Sequence, residues 1–473
     1  FFIVDQDSSA GTFVNGVRIP PQVVRQVTPD DDVALGNVHV ALSAAGGTTT
    51  MARAPRGASV SAEDLTVRKP PRRLWDRVTG KGKQVVLLKS VYFTANPGEF
   101  VGLMGLSGHG KSTLLNALNG YCPPSEGIVR VRGRNLYAHL AAEQSDIGYV
   151  AQGDRLYGVL TAEENLRFAA QLRLPDKDRA AIDQIVRERF ADLGLAERVR
   201  TTPYKDCSGG ERRRISLASE LVTQPNVLLL DEPTSGLSWP DALLVMQTLA
   251  RIAERQRTTV ILVIHQPGKA LYELMDHVLY IARGRLAYFG PAYPGSVSYF
   301  CGNASEVDRA AAMGDPGYVM KAISDSLTGP DEAAAAEVLA EEFQRSDTYD
   351  KYVRSRWNEA HRRRPAADDP KLDSPTSPAK PFLRQLRVLV ERTALLKWRQ
   401  LGVTAGIVAA GPLLAWLFAL LMVQPDAFVA GLMTESTALC LSVMAVSLIA
   451  TVAGVRELDA DWAAYHRERK VGL

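Results

Sequence analysis

The stretch that most constrains the fold of this chain is "GLSGHGKST", which runs from Gly105 to Thr113. It fits the pattern GxxxxGK followed by Ser or Thr, comes after the apolar run "EFVGLM", and opens the helix-forming run "STLLNALNG". The glycines let successive backbone N–H groups point at phosphate oxygens, Lys111 adds a positive charge, and the Ser112 hydroxyl can bind Mg²⁺. The sequence therefore predicts a strand, a phosphate-binding loop and a helix of an α/β domain, since a chance glycine-rich turn rarely has this context. The residues predicted to bind nucleotide are Gly105, Ser107, Gly108, Gly110, Lys111, Ser112 and Thr113.

Two further apolar runs end in polar residues that suit the same chemistry. "VLLLDEP" ends at Asp231 and Glu232, and "VILVIHQP" ends at His265. Parallel strands bring their carboxyl ends to one edge of a sheet, so we expect these side chains beside the phosphate loop. Asp231 is predicted to hold Mg²⁺, and Glu232 to polarise the attacking water as a general base. His265 is predicted to contact the γ-phosphate, with a purely structural histidine as the alternative, and Gln152 in "YVAQGD" to bind Mg²⁺ or water.

A second glycine pair opens another helical run, "CSGGERRRISLASEL". A helix N-terminus carries unpaired N–H groups and the positive end of the helix dipole, so it binds anions. The sequence therefore predicts a second phosphate site at Ser208, Gly209, Gly210 and Glu211, although the chain has one nucleotide loop. The basic run 212–214 that follows suits either nucleic-acid contact or, in our interpretation, a solvated charged helix face.

Composition narrows the classes of function. The 473 residues carry a net charge of +3 and form neither a basic domain nor a basic stretch with interleaved aromatics, so we expect no nucleic-acid partner. The four cysteines, Cys122, Cys207, Cys301 and Cys440, lie far apart, which indicates a reducing cytoplasm rather than a disulfide framework. The histidines show no metal-ligand spacing.

The C-terminal part combines charged, proline-rich and apolar stretches. Residues 301–380 indicate a charged helical extension and a Pro-rich linker, and 381–400 an amphipathic connecting helix at a membrane surface. Two apolar stretches, 403–423 without a charge and 428–455 with a single charge, are predicted to be transmembrane helices; two buried helices of a soluble core are the alternative. Basic residues flank both stretches but are absent between them, so both ends, including 456–473, are predicted to be cytoplasmic.

The N-terminal part has a different pattern. Residues 1–43 indicate short β-strands with Asn15 and Gly16 as a two-residue hairpin turn, and 44–60 indicate a flexible linker of small residues. The chain begins with Phe1 rather than Met and has no signal-peptide pattern, so we expect it to be a piece of a longer protein.

Together the motifs over residues 61–300 resemble the ATP-binding cassette (ABC) family. The phosphate loop is similar to its Walker A motif, Gln152 to its Q-loop, "SGGE" to its signature, "VLLLDEP" to its Walker B motif and His265 to its switch histidine. "SGGERRRISLASEL" and "VIHQP" look most like the G subfamily, whose half-transporters place the cassette before the membrane helices. The resemblance departs at Cys207, where Leu or Val is usual, and at Ser238, which replaces the Asp of "SGLD" and puts the coupling of two sites in doubt.

This resemblance implies ATP and Mg²⁺ as cofactors and a second half-transporter, most simply another copy, as partner. In the family the signature of one cassette binds the γ-phosphate held by the other, so the residues Ser208 to Glu211 are expected to serve a second copy's nucleotide. The expected function is the ATP-hydrolysing subunit of an exporter for a lipid-like or amphiphilic substrate. It is expected to be a multi-pass protein of the inner (plasma) membrane, embedded in the lipid bilayer with a cytoplasmic cassette.

The first strands resemble the C-terminal part of a forkhead-associated (FHA) domain, a β-sandwich that binds phosphothreonine peptides. "DSSAGTFVNGVRI" is similar to its GT-x-x-NG pattern, in which Asn15 holds the place of a peptide-backbone contact; an ordinary hairpin is the alternative. The resemblance implies regulation by phosphorylation, with a phosphothreonine-containing protein or a Ser/Thr kinase as partner. The predicted fold class is multidomain: an FHA-like β-sandwich fragment, an α/β P-loop cassette and an α-helical transmembrane segment. Other readings of the function are a regulatory ATPase without transport and a phosphopeptide-binding adaptor with a structural cassette.

Overall fold

The fold is known from a computed structural model, which describes most of the first 400 residues. The described ranges are 2–6, 12–14, 17–28, 33–35, 38–45, 48–53, 57–69, 85–153, 156–175, 177–301, 315, 317–328, 331–362 and 382–400.

A six-stranded sheet forms the centre of the cassette. Its strands are β10 (Phe100–Met104), β13 (Ile147–Val150), β14 (Val227–Asp231), β15 (Thr259–Val263), β16 (His277–Ala282) and β17 (Arg285–Pro291). They lie in the order β13-β14-β15-β10-β16-β17, all parallel except β17, which pairs antiparallel with β16. Helices cover such sheets on both faces, which explains the unbroken apolar runs in β14 and β15. The carboxyl ends of five neighbouring strands therefore lie at one edge.

A second, antiparallel sheet shares the same hydrophobic core. It consists of β8 (Val60–Lys69), β9 (Val85–Ala95), β11 (Glu126–Val131) and β12 (Arg134–Asn135), in the order β12-β11-β8-β9. Phe93 on β9 and Phe289 on β17 contact each other with tilted rings whose centroids lie 5.7 Å apart, which joins the two sheets. Both rings are buried.

Eight helices of the cassette region fall within the described residues. They are α1 (Lys111–Leu118), α2 (Leu140–Glu143), α3 (Ala162–Arg173), α4 (Arg179–Asp192), α5 (Glu197–Thr201), α6 (Gly209–Leu221), α7 (Trp239–Gln256) and α8 (Lys269–Tyr272). Helix α3 begins with a capping box in which Thr161 and Glu164 satisfy each other's backbone N–H groups. Helices α3, α4 and α6 pack together beside the main sheet.

A helical extension folds back over the cassette after β17. It contains α9 (Val297–Phe300), α10 (Gly317–Ser326), α11 (Glu332–Gln344), α12 (Asp347–Tyr349) and α13 (Ser355–Arg362). Arg356 ties it to the sheets, because its guanidinium donates to the Glu99 carboxylate at 2.9 Å and lies 3.0 Å from His277 Nε2. The same guanidinium lies 5.7 Å from the ring centre of Phe289. The extension therefore completes the core of the cassette.

The last described helix, α14 (Phe382–Arg399), packs against α3. Val388 joins Phe168 and Leu172 in a small buried cluster, and Arg399 binds both carboxylate oxygens of Glu164 at 2.7 Å. The sequence predicts an amphipathic helix at a membrane surface here. The structure places one apolar face of this helix on the cassette, while Leu383 and Trp398 are exposed.

The N-terminal strands form two small sheets of their own. Strands β1 (Phe2–Val4) and β4 (Val24–Gln26) make one, and β2 (Thr12–Val14), β3 (Val17–Arg18), β5 (Val33–Leu35), β6 (Val38–Ala45) and β7 (Thr48–Arg53) make the other. Their apolar residues Val14, Ile19, Val27, Val33 and Val40 form a separate buried cluster. Strand β7 lies within the stretch 44–60, where the sequence predicts a linker, and its threonines suit a strand.

The predicted fold class needs correction in its transmembrane segment. Within the described ranges, no helix combines the length and the apolar character that a bilayer crossing requires. The longest helices there, α7 and α14, have 18 residues each and carry several charges. The stretches 403–423 and 428–455, on which the prediction rested, lie outside the described residues, as does 456–473. For the described residues the structure supports an α/β cassette, and it does not support the transmembrane part of the predicted fold class.

Candidate functional site

The phosphate loop connects β10 to α1, as the sequence predicts. Gly110 ends it with a φ of 102°, in the left-handed region, and a Cβ there would meet the Leu87 carbonyl oxygen at 2.8 Å. Glycine is required at this position on both counts. A hydrogen bond from Gly284 N–H to the His109 carbonyl, 3.0 Å long, stabilises the loop from the turn between β16 and β17. Ser107 and Gly108 remain exposed at the loop's outer side.

Lys111 lies almost buried at the start of α1 and closes the loop on itself. Its Nζ donates to the carbonyl oxygens of Gly105 and Leu106 at 2.8 and 2.9 Å. Burial lowers the pKa of this ammonium, while Glu232 and Asp231 act in the opposite direction. The neighbouring Ser112 is exposed and Thr113 half-buried, so the first turn of α1 offers hydroxyls and unpaired N–H groups beside a cation.

Glu232 is the centre of the polar cluster at the strand ends. Gln152 Nε2 donates to its Oε2 at 2.8 Å, and His265 Nε2 lies 2.7 Å from its Oε1. The three residues follow β13, β14 and β15, which are neighbours in the sheet, so the strand order brings them together. Asp231 is the last residue of β14 and lies directly before Glu232. The structure thus assembles the predicted carboxylates, Gln152 and His265 at one edge.

The backbone at Glu232 is unusual. Its φ of 50° lies in the left-handed region, which a residue with a side chain rarely adopts. Its N–H donates to the Val263 carbonyl at 3.2 Å, and its carbonyl accepts from Ser235 N–H at 3.2 Å. Such conformations persist where the surroundings hold them, and they concentrate at functional sites.

The donor set at this edge fits Mg²⁺ with a bound polyphosphate. Mg²⁺ prefers oxygen ligands, keeps several waters, and is held by one or two carboxylates together with substrate phosphates. Asp231 supplies a half-buried carboxylate and Ser112 an exposed hydroxyl. Within the described ranges no group of three or more His, Cys, Asp or Glu residues is placed to hold a metal ion without other ligands.

The second glycine pair opens α6, as the sequence predicts. Ser208 is its N-cap and forms a capping box with Glu211: Ser208 Oγ accepts from Glu211 N–H at 3.2 Å, and Ser208 N–H donates to Glu211 Oε2 at 2.9 Å. The Ser208 N–H holds the pKa of the Glu211 carboxyl below its usual value, and Arg198 adds to this. Glu211 therefore shapes the helix end.

Ser208 and Gly209 are exposed, and a Cβ built on Gly209 would meet no atom within 4 Å. At Gly210 the opposite holds, because a Cβ would meet Asp241 Oδ1 at 2.4 Å. Helix α6 packs on α3, α4, α7 and β13, whereas the phosphate loop connects β10 to α1 and approaches Leu87 on β9. The described contacts thus gather the Walker residues, Gln152 and His265, and leave the signature in a separate, open position.

Ser238, which departs from the family pattern, caps α7. Its Oγ donates to Asp241 Oδ2 at 2.7 Å and accepts from Asp241 N–H at 3.4 Å. A serine satisfies the same free N–H group that an aspartate at this place would satisfy. The exchange therefore keeps the helix and removes one negative charge next to the signature.

The sequence-based interpretation missed Arg213. The basic run 212–214 predicts a solvated face, but Arg213 is 6% exposed and its guanidinium contacts the loops that carry Gln152 and Glu232. The spacing of the buried residues Gly210, Arg213 and Leu217 along α6 is helical, and this spacing was the available indication. The predicted Asn15 lies outside the described residues.

Comparison with known proteins finds relatives of this chain. The family described as "ABC transporter" matches residues 88–235. "ABC transporter ATP-binding/permease protein Rv1747" of Mycobacterium tuberculosis is 33% identical over 339 residues, which cover 69% of this chain and 36% of that protein. "ABC transporter G family member 13" of Arabidopsis thaliana is 39% identical over 259 residues, covering 53% of this chain and 36% of that protein.

Further matches have the same character. "Protein white" of Drosophila melanogaster is 40% identical over 220 residues, covering 43% of this chain and 31% of that protein. The solved structure of the ATP-binding cassette MJ0796 in a post-hydrolysis state, dimeric and bound to ADP and Pi, covers 49% of this chain and 98% of its own, with 25% identity and a TM-score of 0.43. The chain spans about a third of the length of the curated relatives it matches. It contains an ABC transporter ATP-binding cassette, which is an ATP-hydrolysing domain, and proteins named as members of the ABC transporter G family are among its relatives.

Proposed function

We propose that this chain is the ATP-hydrolysing part of an ABC half-transporter, which exports a lipid-like or amphiphilic substrate and works as a homodimer. The observation that carries the catalytic part is the Glu232 carboxylate, held between Gln152 and His265 beside the phosphate loop. The substrate class and the direction rest on kinship with G-type relatives. The proposed location of the cassette is the cytoplasmic side of the inner membrane.

The residues have distinct proposed roles. The N–H groups of the loop from Gly105 to Gly110 and of the first turn of α1 bind the phosphates, and Lys111 exchanges its two carbonyl partners for phosphate oxygens. Asp231, Ser112 and Gln152 would hold Mg²⁺, which neutralises charge on the phosphates. Glu232 accepts the proton of the attacking water, and His265 orients that carboxylate and contacts the γ-phosphate.

The open signature supports the proposed dimer. Ser208 and Gly209 present a helix N-terminus without a neighbour at Gly209, and a positive helix end suits a phosphate. We propose that it completes the site of a second copy. Nucleotide would then join the two cassettes, and hydrolysis would release them.

Hydrolysis is tested with the purified full chain by measuring Mg²⁺-dependent phosphate release. We expect Lys111→Ala to abolish it, because the phosphates lose their cation, and Lys205→Ala at an exposed position to leave it unchanged. A chain without Mg²⁺-dependent hydrolysis would contradict the proposal and favour an adaptor with a structural cassette. An active Lys111→Ala variant would contradict the role assigned to Lys111.

Sharing of sites between copies is tested by mixing two inactive variants. Gly209→Glu is sterically tolerated and favourable at a helix start, yet its charge repels the partner's nucleotide. Mixed with Lys111→Ala chains, it should restore roughly a quarter of the wild-type rate, since about half of the dimers are mixed and each of those has one intact site. No recovery on mixing would argue against sites built by two copies.

The N-terminal sheets form the proposed FHA-like regulatory part, through which a Ser/Thr kinase or a phosphothreonine protein would act. Supporting this, β2 and β3 pair antiparallel with Val14 opposite Val17, which leaves two residues for the connection, as in the family's pattern. The test is the rate of ATP hydrolysis before and after treatment with a Ser/Thr kinase, with phosphorylation followed by mass. An unchanged rate on a phosphorylated chain would speak against this role.

A further inference from the structure

The guanidinium of Arg213 makes an unusually complete set of hydrogen bonds inside the cassette. Its Nε donates to the Pro233 carbonyl at 3.1 Å, one terminal nitrogen to those of Ala151 and Gln152 at 2.8 and 3.3 Å, and the other to those of Asp231 and Glu232, both at 2.9 Å. A guanidinium has five N–H groups in a rigid planar fork, so the five carbonyls match its full donor capacity. Because the side chain is 6% exposed, water does not compete for these bonds.

The five carbonyls belong to two segments that carry the catalytic side chains. Ala151 and Gln152 directly follow β13, and Asp231 to Pro233 comprise the last residue of β14 and the start of the turn after it. The turn contains the left-handed backbone of Glu232, which must be held by its surroundings. Bonds from Arg213 to the carbonyls on both sides of that residue fix the direction in which its carboxylate points.

Arg213 itself stands on the helix that begins with the signature. Gly209 and Arg213 are four positions apart in the sequence, which corresponds to about one helical turn or 6 Å along the axis. A shift of the exposed helix end is therefore transmitted to the guanidinium, and from there to the loops of Gln152 and Glu232. Helix α6 also packs on β13 of the main sheet, but the bonds that reach the turn holding Glu232 come from Arg213.

We propose that Arg213 is a positioning residue that couples the signature helix to the catalytic carboxylate of the same chain. When a partner's nucleotide binds at Ser208 and Gly209, α6 moves as a unit, and Arg213 carries the Gln152 and Glu232 loops into their productive arrangement. The inference rests on the proposed ATP hydrolysis. It assigns to this arginine the coupling between the signature and the catalytic residues of one chain.

A merely structural arginine makes a different prediction. If Arg213 served only to satisfy buried carbonyls, its replacement would lower stability and leave the turnover of the folded fraction unchanged. A positioning role instead lowers kcat with little change in KM, because the interaction is needed for the reacting geometry and not for nucleotide affinity.

The experiment compares Arg213→Lys with wild type in the purified full chain. Lysine keeps the positive charge, but its single ammonium group cannot donate to all five carbonyls. We expect kcat to fall by roughly 10- to 100-fold, since misplacement of a catalytic group by about 1 Å costs on the order of 100-fold, and KM for ATP to change less than about threefold. Arg212→Lys, the half-buried neighbour, is the matched control and should turn over at the wild-type rate.

A double-variant cycle with Glu232→Gln decides whether Arg213 acts through the carboxylate. If it does, Arg213→Lys lowers the rate of wild type but not the residual rate of Glu232→Gln. The inference would be overturned if the rate losses of Arg213→Lys and Glu232→Gln multiply in the double variant. An Arg213→Lys variant with wild-type kcat would overturn it as well. Wild-type protein without ATP hydrolysis would instead refute the proposed function. If Arg213→Lys does not fold, Arg213→Gln, which keeps an amide donor, is measured in the same cycle.

Discussion

Replacement of Glu232 by glutamine separates nucleotide binding from hydrolysis. The side chains have the same shape, and a glutamine oxygen facing Gln152 Nε2 keeps that bond of 2.8 Å. Its NH₂ group then faces His265 Nε2, 2.7 Å away in the native pair, and donates to it when the proton of the ring is on Nδ1. We therefore expect the free energy of unfolding to change by no more than about 1 kcal/mol.

The catalytic consequence is much larger. An amide cannot accept the proton of the attacking water, and general-base catalysis contributes about 10²- to 10⁴-fold. Because each tenfold in rate corresponds to about 1.4 kcal/mol, the barrier should rise by about 3 to 5 kcal/mol. Phosphate release at saturating Mg²⁺-ATP measures this loss, and titration with a fluorescent ATP analogue measures the dissociation constant, which should stay within about threefold.

The control is Glu254→Gln, which removes an exposed carboxylate of α7 and should leave both quantities unchanged. Turnover of Glu232→Gln within twofold of wild type would refute the assignment of Glu232 as the base. Lost ATP binding in a folded variant would show that the carboxylate serves affinity rather than the chemical step.

Two further predictions concern the packing around the cassette. Burial lowers the pKa of His277, with Arg356 adding to the effect and Glu99 opposing it, so wild type should lose stability as the pH falls below about 6.5, where the unfolded imidazole takes a proton. His277→Gln keeps an acceptor for Arg356, and the melting temperature of this variant should fall less than that of wild type between about pH 7.5 and 5.5. His109 is present in both proteins, so equal falls in melting temperature would show that His277 does not contribute. Arg399→Gln removes the pair with Glu164, worth about 1 kcal/mol when partly buried, so amide exchange in Phe382–Arg399 should accelerate about fivefold. Exposed Arg387→Gln is the control, and unchanged exchange in Arg399→Gln would show that this ion pair does not hold the helix.

The strand-end residues were predictable because their positions follow from local pattern alone. An apolar run that ends in a polar residue predicts both a buried strand and the edge where its last side chain lies, which places Gln152, Glu232 and His265 in one region. The glycines and the lysine of the phosphate loop are equally local, since backbone conformation and sequence spacing define the motif. Their chemical roles stay predictions.

Other features depend on partners that lie far away in the chain, and the sequence does not show these. The amphipathic pattern of 382–399 predicts a helix with an apolar face, but not that α3 covers it. Arg213 looks like its basic neighbours in the sequence, and its five acceptors come from two loops that only the sheet brings to it. The N-cap at Ser238 was visible only as a departure from the family pattern, because its bond to Asp241 needs a helix start at that place.

The contact between Arg356 and Glu99 can form only late in the synthesis of the protein. The two residues are 257 positions apart, so the ribosome adds the arginine about 13 to 50 s after the glutamate, at roughly 5–20 residues per second. Until then the aromatic residues joining the two sheets, Phe93 and Phe289, await their cover from the helical extension. A chain that stops after β17 should therefore leave these two rings without that cover and aggregate more readily than the longer chain.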